Sequence, residues 1–340
     1  MNESGVAEQR AQSAPIKAQS TAVPVGTARI CNAEWGALGA MSGHGGFVHT
    51  LSSLLDAVLN MPASQIPDSC TKPPPGSSAY YALQRCPPER RVALTLLLDV
   101  HVRVRSIATT VSDPAIAQAK LAWWRAQIQA LGQHQPEHPS LRALAGYLQE
   151  HDLRPETLLG LIESVEIDLR QNRWMDRAAL LHYCRAGSGQ TLRNAAALQG
   201  LITPSALAAA EELGVALRLA SNIRHLGRDA AQGRVYLPLD ALQRHVVKTA
   251  ELQQRIVNPP IRALLQEQTT LARTALRAAC DALASYPSAQ TAPLLALGAM
   301  SDALLREIER ADYAVLHQRI SLTPLRKLWL SRTCTWRRGE

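Results

Sequence analysis

From residue 77 to residue 332 the sequence reads as helix after helix, separated by short turns. The starts are marked. Pro88, with Glu89 behind it, opens "PERRVALTLLLDVHVRVRSIATTV", because proline at a first helical turn forfeits only an N–H that has no partner there. Asp113 followed by Pro114 opens "DPAIAQAKLAWWRAQIQAL", the aspartate serving as N-cap. Before them "AYYALQRC" is a short helix ended by "PPERR". After them the pattern predicts helices near 140–150, 155–170, 176–198, 204–230, 239–249, 259–285, 290–317 and 323–332, with "GRVYLP" as a strand-like insert. Ala and Leu dominate the apolar residues and Phe occurs once, which favours helix over sheet. The expected class is all-α.

Ahead of this block, residues 1–27 lack a periodic apolar face and read as disordered. "FVHTLSSLLDAVLNM" at 47–61 fits one short amphipathic helix, and "SQIPDSCTKPPPGSS" follows as a linker whose proline run excludes helix. The expected division is an extension over 1–73, one folded domain over 74–333 and a basic tail over 334–340. Charge divides the same way. Residues 1–73 hold four Lys/Arg against five Asp/Glu, and the remainder holds 32 against 23, so the folded part is the cationic part. Phosphates, acidic lipid headgroups and nucleic acid are the partner classes this admits. The arginines are scattered and no nucleic-acid motif accompanies them, which ranks nucleic acid last. Cysteines at 31, 70, 86, 184, 280 and 334 form no CxxC pair, which fits a reducing cytoplasm. No apolar run reaches the roughly 18 residues of a membrane helix, and the N-terminus lacks the order of a signal peptide. A cytoplasmic protein is expected.

Two helices carry polar residues in register. In 204–230, Arg218, Ser221, His225 and Asp229 follow at spacings of three, four and four and share one face. In 88–111, Arg105 and Thr109 lie four apart. Spacing alone is satisfied by a solvated helix edge. Trp123 and Trp124 read as packing aromatics and Cys184 as a packed thiol. The segment "SLTPLRKLWLSRTCTWRRGE", with Trp329 and Trp336, fits equally a solvated tail and a helix lying on an acidic membrane.

Local context adds a resemblance. "GSSAYYALQRCPPERRVALTLL", "VSDPAIAQAKLAWWRAQI", "AAQGRVYLP" and "LLREIERADYAVLHQRISLTPLRKLWL" occur in order from about 76 to 330 and resemble the squalene/phytoene synthase family. The resemblance implies a single-domain helical cage of the isoprenoid synthase type around a central apolar cavity. It implies enzymes that join two prenyl diphosphates head to head, with Mg²⁺ held by aspartate-rich motifs on two facing helices. Mg²⁺ demands oxygen ligands, several of them carboxylates.

Those ligands are altered here. The three aspartates of the family's first motif fall on Arg105, Ser106 and Thr109, and its trailing glutamate on Thr110. In the second motif Arg224 and Asp229 match, whereas the family Gln, Asn, Asp and Glu fall on Arg218, Ser221, His225 and Arg228. Tyr183, Cys184 and Gly189 keep part of a middle motif. The pattern is similar to a branch without the aspartates, the mitochondrial complex I assembly factor and its bacterial relatives.

The expectation is therefore a non-catalytic family member that binds an isoprenoid lipid or serves a protein partner, without cofactor. The alternative is an active prenyl-diphosphate transferase with an arginine-lined diphosphate site, the case in which Mg²⁺ would enter. The candidate anion-binding residues are Ser78, Arg105, Thr109, Arg218, Ser221, Arg224, His225, Arg228 and Asp229, the last also the residual candidate metal ligand. Tyr81, Tyr183 and Gly189 are the candidate cavity residues. Prenyl diphosphate or another isoprenoid lipid, a membrane surface and a protein are the candidate partners; nucleic acid is not.

Overall fold

The expected helix starts recur, with Pro88 in the first turn of its helix and Asp113 as the N-cap of the next. The computed structural model of the chain describes residues 66–133 and 136–333. It contains thirteen α-helices among the described residues: α1 (Ser78–Leu83), α2 (Pro88–Thr110), α3 (Pro114–Ala130), α4 (Pro139–Glu150), α5 (Leu159–Arg170), α6 (Arg177–Cys184), α7 (Gln190–Leu198), α8 (Pro204–Ala231), α9 (Leu239–Arg244), α10 (Thr249–Gln253), α11 (Pro259–Leu283), α12 (Ser288–Arg310) and α13 (Pro324–Thr333). The Asp113 carboxylate accepts from the Ala115 N–H at 2.8 Å, and Asn258 accepts from Ile261 at 2.9 Å. The expected disorder at 1–27, the short helix at 47–61 and the tail at 334–340 with Trp336 lie outside the described residues.

α2 buries Val92, Leu96, Val100, Val104 and Ile107, a stripe at helical spacing, against Leu141, Leu144 and Leu148 of α4 and Leu161, Ile162 and Val165 of α5. Fully burying each such side chain contributes about 1.5–3 kcal/mol. α8 lies against α11 and α12 through Ala210, Leu213, Ala216, Leu276, Ala279 and Leu294 at one end and Ile223, Leu226, Leu264 and Leu305 at the other. Its small residues allow that close approach. The chain is thus an all-helical cage with α2 and α8 as its inner posts.

Three expected elements differ in detail. The helix expected over 176–198 is interrupted at Arg185–Gly189 by one π-helical turn. A Cβ on Gly187 would sit 2.7 Å from Ser164 Oγ, so this glycine lets α5 press on the turn. The segment 239–249 splits into α9 and α10 around Val246, whose φ is +55°. α12 stops at Arg310, before the left-handed Asp312 and Tyr313. "GRVYLP" is extended as expected and lies along residues 172–175: Val235 N–H donates to Asn172 O at 3.0 Å, and Leu239 N–H to Trp174 O at 2.9 Å.

Among the described residues two small lobes open inside the cage. One, of about 60 Å³, is walled by apolar side chains of α1, α2, α7 and α12, including Leu83, Leu94, Leu98 and Leu294. The other, of about 210 Å³, lies between α8, α12 and α13. Leu297 lines both.

Candidate functional site

One buried carboxylate organises the polar interior. Asp168, near the end of α5, accepts from the Tyr183 hydroxyl at 2.7 Å and the Tyr236 hydroxyl at 2.8 Å. Arg234 donates to the Asp168 carbonyl at 3.2 Å and the Ala108 carbonyl at 2.9 Å, and its guanidinium lies 3.8 Å from the Asp168 carboxylate. Trp174 stacks on Tyr236 with ring centroids 4.6 Å apart. Burial, the largest influence on both phenols, raises their pKa values, so they act as neutral donors near pH 7.

Two further arginines enter this cluster. Arg218 of α8 donates to the Tyr183 hydroxyl at 2.5 Å and lies over the Tyr183 and Tyr236 rings at 5.3 and 5.1 Å. Its Nε is buried without a partner. Arg105 of α2 is the neighbouring cation; burial first, and then Arg218, lowers its pKa. Arg103 is tied to the buried Asp99 at 2.8 Å, but Arg105 has no ion pair or hydrogen-bond partner among the described residues. The cluster therefore sets three guanidiniums against one carboxylate. Guanidinium stays protonated in proteins, so the imbalance is real charge.

His101 faces the same pair. Burial, then Arg105 and Arg218, pushes its pKa down to about 3. Thr191 uses its one hydroxyl proton on Gly187 O at 2.8 Å, so at 2.9 Å it accepts from His101 Nδ1–H. That fixes the neutral tautomer and leaves Nε2 as an acceptor. One turn beyond Arg218, Asn222 is buried with both side-chain amide atoms unpartnered.

The last turns of α8 form a separate arrangement. Ser221 and His225 share a 3.2 Å hydrogen bond. Burial, then Arg228, Arg224 and Arg319, pushes the His225 pKa down to about 4. Arg224 donates from Nε to Ile320 O at 3.0 Å. Ser78, Ser221, Arg224, Ser301 and Lys327 give the 210 Å³ lobe its polar rim, and Leu217, Met300, Leu304 and Leu322 belong to its apolar wall. The Lys327 ammonium donates to Gly76 O at 2.7 Å. The arrangement suits an anionic group above a short apolar stretch.

The squalene/phytoene synthase family description matches residues 73–326. The chain belongs to the squalene/phytoene synthase family. It is 25% identical to the chloroplastic phytoene synthase of Narcissus pseudonarcissus over 71% of this chain and 58% of that protein. It is 30% identical to the presqualene diphosphate synthase of Sinorhizobium fredii over 49% of this chain and 60% of that protein. The chain thus spans less than two thirds of the length of these curated relatives. Its fold is similar to squalene synthase HpnC from Alicyclobacillus acidocaldarius, with a TM-score of 0.64 at 18% identity over 78% of this chain and 96% of that one.

Family enzymes imply Mg²⁺, and the donors present here do not fit it. Among the described residues no three of His, Cys, Asp and Glu converge. On α2, Arg105, Ser106, Thr109 and Thr110 present a guanidinium and hydroxyls. Thr109 is exposed and donates to Ser106 O at 3.1 Å, and the Thr110 hydroxyl is also turned to Ser106 O, at 2.8 Å. On α8 the carboxylate of Asp229 accepts from Arg228 Nε at 2.9 Å and Nη2 at 2.8 Å, so it is engaged as an ion pair. A lone carboxylate so held is a poor site for a hard dication.

The polar line expected on α8 therefore serves two places. Arg218 turns into the tyrosine cluster with Arg105. Ser221 and Arg224 turn, with Ser78, to the 210 Å³ lobe. His225 leans on Ser221, and Arg228 is spent on Asp229. Arg105 forms no ion pair among the described residues; the carboxylate that acts on it through space is Asp168 of α5, with the Tyr183 and Tyr236 phenols beside it. Of the expected cavity residues, Tyr81 packs with Met300 and Leu322 beside the lobe. Tyr183 belongs to the Asp168 cluster. Gly189 is a packing position, since a Cβ there would lie 3.3 Å from Glu211 and Val215 of α8, and it lines neither lobe. Asp168, His101, Asn222, Arg234 and Tyr236 were not singled out from the sequence. The signals available were an aspartate inside the apolar run "IESVEIDL" and the tyrosine of "GRVYLP".

Proposed function

We propose that this family member binds the anionic head of an isoprenoid lipid with arginines instead of metal, and does not join two such lipids. The observation that carries the reading is the half-buried pair Arg105 and Arg218, short of hydrogen-bond acceptors and of negative charge, beside a donor set unfit for Mg²⁺. A diphosphate supplies both deficits, because guanidinium binds phosphate oxygens through paired donors. Cavity size supports the second half. A cavity near 150 Å³ takes one benzene, so lobes of 60 and 210 Å³ are too small to enclose two long prenyl chains.

Calorimetric titration with farnesyl diphosphate, with and without Mg²⁺, tests this. Binding should be indifferent to Mg²⁺ and roughly tenfold or more weaker in Arg105→Gln and Arg218→Gln, with no coupled hydrocarbon product. Mg²⁺-dependent binding with turnover that requires Asp229 would overturn the reading. Turnover without metal would establish the second reading, an active transferase with an arginine-lined site, which the unpartnered arginines also favour. Total absence of binding would favour a surface for a protein partner, as in the assembly-factor branch that the first-motif pattern resembles.

A further inference from the structure

α13 has one face that the fold uses and one that it leaves out. Inward, Ser331 is buried, Leu328 packs with the cluster around Tyr81 and Met300, and Lys327 reaches Gly76. Outward, Leu325 is 79% exposed and Trp329 is 62% exposed. They lie four residues apart, and Arg332 follows three further on, so the three side chains form one stripe. Isolated exposed apolar residues need no explanation. A leucine and a tryptophan stacked on one face beside cations need one.

The charge around the stripe is of one sign. Residues 313–339 contain no Asp or Glu and hold Arg319, Arg326, Lys327, Arg332, Arg337 and Arg338. Arg326 is spent on Glu307, and Lys327 is turned inward. Arg332 is not spent: its neighbouring charges are Arg85, in the turn after α1, and Arg91 of α2, and neither Arg332 nor Arg85 forms an ion pair among the described residues, whereas Arg91 is turned inward and donates to the Cys86 carbonyl at 3.0 Å. Like charges gathered at a surface and left without a carboxylate of their own await an anionic partner.

We propose that the Leu325–Trp329–Arg332 stripe of α13, with Arg85 beside it, docks this protein on an anionic lipid bilayer. Tryptophan sits at the level of lipid headgroups, leucine enters the acyl boundary, and arginines meet the phosphates. No described helix is long and apolar enough to cross a membrane, so the helix would lie in the interface plane. The unpaired like-sign charge at Arg332 and Arg85 favours a surface of many anionic headgroups over a single protein face. The inference is independent of what the cage holds. Lys327 of this helix and Leu322 just before it line the 210 Å³ lobe, on the side of α13 away from the stripe.

The test is co-sedimentation of the full chain with phosphatidylcholine vesicles, with and without phosphatidylglycerol, and containing no isoprenoid. Binding should require phosphatidylglycerol and weaken with salt. Leu325→Glu with Trp329→Glu should reduce it by roughly tenfold or more, and Arg85→Gln with Arg332→Gln should reduce it and flatten the salt dependence, both with an unchanged melting temperature. Arg105→Gln should bind vesicles as the wild type does, which separates this inference from the lipid-binding reading. Binding that ignores lipid charge, or that survives in both double variants, would sink the proposal. So would capture of a soluble protein through the stripe with no vesicle binding.

Discussion

At the scale of single residues the interior is a charge imbalance waiting for an anion. Arg105 and Arg218 are half-buried neighbours, and the one carboxylate near them already accepts from two phenols. An ion taken partly out of water without a partner opposes folding, and an apolar side chain of similar volume removes that cost. Arg105→Met should therefore stabilise the protein in urea melts run without polyanions, and inorganic diphosphate should no longer raise its melting temperature. A destabilised Arg105→Met would show that Arg105 is structural. Asp168 is the opposite case. Removing its charge leaves Arg105, Arg218 and Arg234 without a counter-ion and takes an acceptor from a tyrosine. Breaking a buried pair costs about 3–5 kcal/mol, so Asp168→Asn should lower urea stability by that order.

At the scale of elements, what the sequence made legible was local and what it hid was tertiary. Helix starts at Pro88, Pro114 and Pro204 rest on chemistry within a few residues, so the helices could be placed from the chain alone. The π-turn could not, because Gly187 and Gly189 are needed for contacts with Ser164 and Glu211, more than twenty residues away in each case. The same reason hid Asp168: its partners Tyr183 and Tyr236 lie 15 and 68 residues along. Register on α8 identified which residues share a face, but not that Arg218 and Ser221 turn to different neighbours. Gly214 carries the clearest element-scale prediction. A Cβ there would lie 2.8 Å from Gly189 Cα and from the Ser188 carbonyl carbon, so α8 would have to move off the turn. Gly214→Ala should cost about 1–3 kcal/mol in denaturant melts despite its better helix propensity. A stabilised variant would mean that α8 is not pressed on the turn.

At the scale of the whole molecule, cationic surroundings should make stability depend on mild acid. His101 on α2 and His225 on α8 are both held neutral by burial and neighbouring arginines, at about 3 and about 4. His138, capping α4, is displaced in the same direction by burial. In the unfolded chain each takes a proton near pH 6.5. Above that pH both states are neutral and the shift contributes nothing. Below it the unfolded chain binds protons that the native state refuses, so stability falls as pH falls. The fall continues until His225 accepts its proton near pH 4 and His101 near pH 3. Each fully refused proton costs at most about 1.4 kcal/mol per pH unit. Between pH 6.5 and 5, before most carboxylates titrate, urea stability should therefore drop steadily, and His101→Asn, which can keep the bond to Thr191, should flatten the slope. A bound diphosphate should flatten it too, because an anion beside Arg105 and Arg218 offsets the repulsion that helps keep His101 neutral. A pH profile measured with and without inorganic diphosphate reads both effects, and a slope unchanged by either His101→Asn or the anion would place His101 outside the charged interior.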